Sequence, residues 1–238
     1  MTRTLAAQST PAVADFWFGP RAERSRTRLS LGLTPAAVTM VTVANLAQGQ
    51  GHLAILVALS RLHSSVRERI SWLIVGPECD ADYVSELKAG VAKADCDVRI
   101  IGALPMQQIR DVYGAGDLFC LVATEPSCGP GNVWGAVYLE AAACGLPSIA
   151  TPFGGGDVVI DNETGRLIEP SFDAIADAIT ELAMDGIKRV SLGKRAWMRA
   201  RAMNRVVRNS GRVPPPHNAH LRRDIEVVRR PLAAGETK

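Results

Sequence analysis

The sequence predicts an α/β fold: one doubly wound parallel sheet with helices on both faces. Three observations predict it. Apolar, β-branched runs of strand length recur between residues 38 and 168. Segments with apolar residues at helical spacing separate them, and glycine-rich turns follow several of the runs. Parallel strands need crossover connections, usually helices, and strands covered on both faces read as near-continuous apolar runs.

The elements follow in order. Residues 1–33 show no sustained period and contain the breakers Pro11 and Gly19-Pro20, so an extended or loosely ordered segment is expected there. A buried strand is expected at 38–46, then a turn at Gly49-Gln50-Gly51 and a helix at 52–63 carrying Leu53, Leu56, Leu59 and Leu62. A strand at 70–75 closes on Gly76-Pro77, and a helix at 80–94 follows. Next come a strand at 98–101, a short helix at 105–113 and a strand at 118–122. The helix at 135–143 should end at a left-handed Gly145 with Pro147 beyond. A strand at 148–151, a Gly154-Gly155-Gly156 turn and a short strand at 165–168 lead to a helix capped by Ser171 and running to about Met184. A basic helix at 197–207 stops before Pro214-Pro215-Pro216. The expected division is 1–34 as a linker remnant or disordered, 35–200 as the domain, and 201–238 as a basic, proline-containing tail.

Composition narrows the classes. The chain has 238 residues, is 47% hydrophobic and has a formal net charge of +3, which suits one globular domain. Five cysteines without a C-x-x-C pair argue against a zinc site or disulfide framework and for a reducing compartment. Residues 1–15 lack the basic and apolar regions of a signal peptide, and no apolar run approaches the ~20 residues of a membrane span. A cytoplasmic location is expected. From Lys188 onward the chain is strongly basic, which suits a solvated face, a surface left bare by an absent domain, or contact with acidic lipid; without interleaved aromatics nucleic acid is disfavoured.

Ligands of parallel sheets bind outside the carboxyl ends of the strands, so function is sought in the following turns. The first, Asn45-Leu46-Ala47-Gln48-Gly49-Gln50-Gly51-His52, would let a backbone approach an anion beside a helix start, and reads equally as a plain structural turn. The segment Asn132-Val133-Trp134-Gly135 through Leu139-Glu140-Ala141 to Gly145-Leu146-Pro147 is more specific. It resembles the retaining GT-B glycosyltransferases, whose donor domain carries the pattern E-G-F-G-x-x-x-L-E-A-x-A-x-G-x-P. Ordered landmarks agree: Ile74-Val75-Gly76, Ile101-Gly102, the stretch from Ile109 to Asp117, the turn from Thr151 to Asp157, and Asp161-Asn162-Glu163-Thr164-Gly165.

The resemblance implies the Rossmann-like C-terminal half of a GT-B fold, binding a nucleotide diphosphate sugar as donor substrate, with no metal and no other cofactor. It implies that Glu140 accepts hydrogen bonds from the ribose hydroxyls, a task suited to an acceptor-only carboxylate. The helix opening near Trp134-Gly135 would face the phosphates, and the backbone near Gly102 the base. Three departures matter. Asn132 replaces the family's first glutamate, and reads equally as a sugar contact and as a helix N-cap. Asn45 and Gln50 stand where the family has a diphosphate-clasping arginine and lysine; each lost cation removes an electrostatic stabiliser typically worth on the order of 100- to 1000-fold in rate. No acceptor domain precedes residue 37, so a partner chain supplying that half is expected. His52 is expected to be an exposed helix-surface histidine; Asp157 reads equally as a sugar contact and as a turn or N-cap aspartate, and Glu125 as a solvated loop acid near the site. The expected function is a glycosyltransferase donor domain, incomplete or weakly active alone; the alternative is a non-catalytic nucleotide-sugar-binding or interaction module. A dinucleotide dehydrogenase is disfavoured because Gly49 and Gly51 lack the third fingerprint glycine.

Overall fold

The computed structural model describes residues 13–124, 135–156 and 158–209. It contains one six-stranded sheet, every neighbouring pair parallel: β1 (Val38–Val43), β2 (Ile70–Val75), β3 (Asp97–Gly102), β4 (Leu118–Leu121), β5 (Ser148–Ala150) and β6 (Gly165–Leu167). The strand order is β3-β2-β1-β4-β5-β6. Chain progression therefore reverses between β1 and β4, and the crevice at their carboxyl ends is the topological switch point.

The apolar runs are continuous because alternate residues feed opposite faces. Met40, Trp72, Ile74, Leu118, Cys120 and Ile149 enter one core. Val41, Leu73, Val75, Phe119, Leu121 and Ala150 enter the other. Over the first face pack α2 (His52–Arg61), α4 (Ala81–Lys93) and α8 (Phe172–Met184). Over the second pack α5 (Met106–Ala115) and α6 (Gly135–Ala143). The helix starts are chemically legible: Asp80 accepts from the Tyr83 amide at 3.1 Å, and Ser171 from the Ala174 amide at 3.2 Å. Gly145 ends α6 with φ +82°.

Three expectations are corrected, and one short helix was not anticipated. Residues 13–33 are not loosely ordered: a 3-10 turn spans Asp15–Phe18 and α1 spans Arg24–Ser30, with Trp17 and Arg28 buried against α5 and the sheet. A one-turn helix, α3 (Ser64–Arg67), precedes β2. The glycine turn after β5 is a short helix, α7 (Pro152–Gly155). The basic helix, α9 (Gly186–Asn209), starts eleven residues before the expected 197. Among the described residues, no helix is long and apolar enough to cross a membrane.

Candidate functional site at the carboxyl edge of the sheet

The loop after β1 and the exit from β4 close on each other at the switch point. The Thr124 amide donates to the Gly49 carbonyl at 3.0 Å. Gly51 is left-handed, φ +82°, and a Cβ there would lie 2.0 Å from the Val122 carbonyl oxygen, so only glycine fits. The β4 exit is fixed from below by Tyr138, whose hydroxyl donates to Leu121 O at 2.6 Å, and by Thr151, whose hydroxyl donates to Ala123 O at 2.6 Å. On the other side of β1, the Gly76 amide donates to the Gly102 carbonyl at 3.0 Å, and the Leu46 amide to Pro77 O at 2.9 Å. The loops after β1, β2 and β3, together with the β4 exit, thus form one stitched rim, on which Asn45 is exposed and Gln50 half-buried.

Asn45, Gly49, Gln50 and Gly51 share a single loop, and Gly102 lies two strands away on the same edge. Gly135 opens α6. Asn132, Trp134, Asp157, Glu125 and Cys128 lie outside the described residues. Glu140 sits inside α6, 6% exposed, and its carboxyl hydrogen-bonds the buried hydroxyl of Tyr113 on α5. Burial pushes its pKa up to about 8, against the pull of the Tyr113 hydrogen bond. Burial and the adjoining Glu140 carboxyl raise Tyr113 well above its ordinary value. Tyr113 was visible in the sequence only as one letter of the stretch from Ile109 to Asp117; nothing there marks it as the partner of an acid on the next helix.

His52 corrects the sequence reading outright. It is fully buried, not an exposed surface residue, because α2 turns its first residue toward α4. Its Nδ1 lies 3.3 Å from the Tyr83 hydroxyl, and Nε2 has no partner among the described residues. Burial lowers its pKa to about 4, so the ring is neutral near pH 7 and cannot replace the missing cations. The Tyr83 hydroxyl also meets the backbone N–H groups of His52 and Leu53, the free donors that open α2. A phenol oxygen therefore occupies the α2 start. The sequence offered no signal for Tyr83, since its reach depends on how α4 packs.

Chemically, the rim offers backbone dipoles and neutral amides around the switch point, while Glu140 lies inside α6 against Tyr113. That suits a ligand held by hydrogen bonds rather than by side-chain cations.

Comparison with known proteins places this geometry. The family model for glycosyl transferases group 1 matches residues 37–185. A mannosyltransferase from Corynebacterium glutamicum, named as GDP-mannose-dependent and acting on a monoacylated phosphatidylinositol monomannoside, is 30% identical over 173 residues, covering 72% of this chain and 44% of that protein. A Mycobacterium tuberculosis phosphatidylinositol monomannoside mannosyltransferase is 30% identical over 183 residues, covering 74% and 46%. The chain thus spans a little under half the length of these curated relatives. Among solved structures, Anabaena HepE in complex with UDP and glucose superposes with a TM-score of 0.70 at 20% identity, over 84% of this chain and 54% of that one. The C-terminal domain of the Francisella tularensis glycosyl transferase group 1 protein LpcC gives 0.65 at 20% identity, over 80% of this chain and 97% of that domain. The chain belongs to the glycosyl transferases group 1 family and carries the Rossmann-like sheet of a GT-B glycosyltransferase.

Proposed function

We propose that this domain is the donor half of a retaining glycosyltransferase and binds a nucleoside diphosphate sugar along the rim at the β1–β4 switch point. The observation that carries the reading is the docking of the β1 loop on the β4 exit, where Gly51 lies flush against Val122 and backbone replaces side chain beside the crevice. The base lies near Gly102, the diphosphate over Asn45, Gly49, Gln50 and Gly51 and the start of α6 at Gly135; Trp134 contacts the diphosphate and Asn132 the sugar. Glu140 accepts hydrogen bonds from the ribose hydroxyls. Transfer breaks the bond from the anomeric carbon to the phosphate oxygen and forms one to an acceptor hydroxyl, which loses its proton. The helix and loop dipoles stabilise the departing diphosphate without a metal. An acceptor-binding half, on the same polypeptide in the intact protein or on another, presents that hydroxyl. The neutral Asn45 and Gln50 favour a second reading, a module that binds the sugar nucleotide without transferring it.

Calorimetric titration with UDP-, GDP- and ADP-sugars tests the site. One of them should bind, and Glu140→Ala should weaken it by about tenfold or more. Ribose hydroxyls favour the ionised carboxylate, so binding near pH 7 should release up to about one proton, read from the dependence of the heat on buffer. Asn45→Arg with Gln50→Lys should tighten binding of the diphosphate. Binding that ignores all of these changes would remove the rim and Glu140 from the site.

A further inference from the structure

At the opposite, amino end of the sheet a groove of about 980 Å³ runs between α9 and the segment leading into α1. Its floor includes Gly116 and Asp117, which precede β4, and Leu146 and Pro147, which precede β5. One wall is α9, which carries eight Lys and Arg residues and no Asp or Glu. Helical geometry sorts them. Leu192, Ala196, Ala200 and Asn204 recur every four residues and are buried against the domain. Arg189 and Arg195 turn back to it, donating to Leu182 O and Glu163 O at 2.5 Å each. The outward stripe is Ile187, Val190, Lys194, Met198, Arg201 and Arg205, spaced three or four apart and exposed throughout. Its apolar members are uncovered: Ile187 is 87% exposed, Val190 57% and Met198 55%. Trp197 borders the stripe beneath the Arg201 guanidinium, 5.1 Å from its ring centre. Arg21 and Arg24 supply the facing wall, and the groove's one acid, Asp117, is already paired with Arg24 and Arg28.

We infer that this α9 face docks the protein on an anionic lipid bilayer. Its charge is complementary to acidic headgroups, and the interleaved Ile187, Val190 and Met198, with a tryptophan at the border, match a helix lying in a membrane interface. A second copy of the chain would bring like charges together. Nucleic acid would satisfy the cations but leave the apolar side chains in water. Docking by this end leaves the carboxyl rim open to donor, and the inference does not depend on what that rim binds.

Co-sedimentation of the full chain with vesicles tests it. The protein should pellet with phosphatidylcholine–phosphatidylglycerol vesicles and stay in solution with phosphatidylcholine alone, and added salt should weaken the binding. Lys194→Glu/Arg201→Glu/Arg205→Glu should reduce the partition coefficient by about tenfold or more. Ile187→Ser/Val190→Ser/Met198→Ser, which leaves the charge unchanged, should also reduce it. All six positions are exposed, and unchanged thermal melting of each variant verifies the fold. Three outcomes would overturn the inference: wild-type partitioning by both variants, equal binding to neutral vesicles, or binding to single-stranded DNA without binding to vesicles.

Discussion

Burying an acid opposite a phenol rather than a cation favours its neutral form, and Glu140 is in that position. Its pKa of about 8 lies above the ordinary 4.5. Between those values the folded chain keeps a proton that the unfolded chain releases, so stability falls as pH rises through the window. Glu140→Gln keeps the shape and removes the titration. The variant should match wild type near pH 5 and exceed it by on the order of a few kcal/mol at pH 9, read from urea midpoints; parallel pH profiles would contradict this. His52 acts with the opposite sign. Its pKa is lowered to about 4, so its contribution is lost as pH falls from about 6.5 toward 4. Residue-scale chemistry was only partly legible in the sequence. The family resemblance singled out Glu140, and the Gly49-Gln50-Gly51 turn was visible because a tight strand-to-helix turn calls for glycine. The burial of His52 was not legible, because Tyr83, thirty-one residues away, creates its environment.

At the scale of elements, the central strands were legible because they serve two cores and carry apolar residues on both faces. Helix α8 announced itself through Ser171, whereas the cap of α4 by Asp80 emerged from the structure. The segment before β1 did not announce itself, because long-range bonds hold it. Arg28 is buried and donates to Thr39 Oγ1 at 2.9 Å, Ala115 O at 3.0 Å, Thr34 O at 2.8 Å, Ala37 O at 2.8 Å and Asp117 Oδ2 at 3.3 Å. Arg21 reaches Cys144 O at 2.5 Å and Arg24 reaches Gly116 O at 2.5 Å, satisfying carbonyls near the ends of α6 and α5. Arg21, Arg24 and Arg28 thus clamp the segment to the domain. Arg28→Ala strands several buried acceptors and should cost about 3–5 kcal/mol in urea unfolding. A loss below about 1 kcal/mol would mean that the clamp is ornamental to stability. The start of α9 escaped notice because Ile187 and Val190 point into solvent and blur the amphipathic pattern.

For the whole molecule, strand order separates two chemistries. The carboxyl edge gathers the glycine-bearing loops around the β1–β4 reversal; the amino edge gathers arginines and the exposed face of α9. The alternation of strands and helices made the sheet legible from sequence, whereas this division of its ends needed the strand order. The central claim is that a sugar nucleotide lies along the carboxyl edge. The most direct measurement is the change in backbone amide chemical shifts as the donor that binds in calorimetry is titrated into labelled protein. The account predicts the largest changes in residues 44–52, around Gly102 and at the start of α6, with residues 19–24 and the exposed face of α9 unmoved. Changes confined to residues 19–24 and the α9 face, with the carboxyl edge silent, would contradict it.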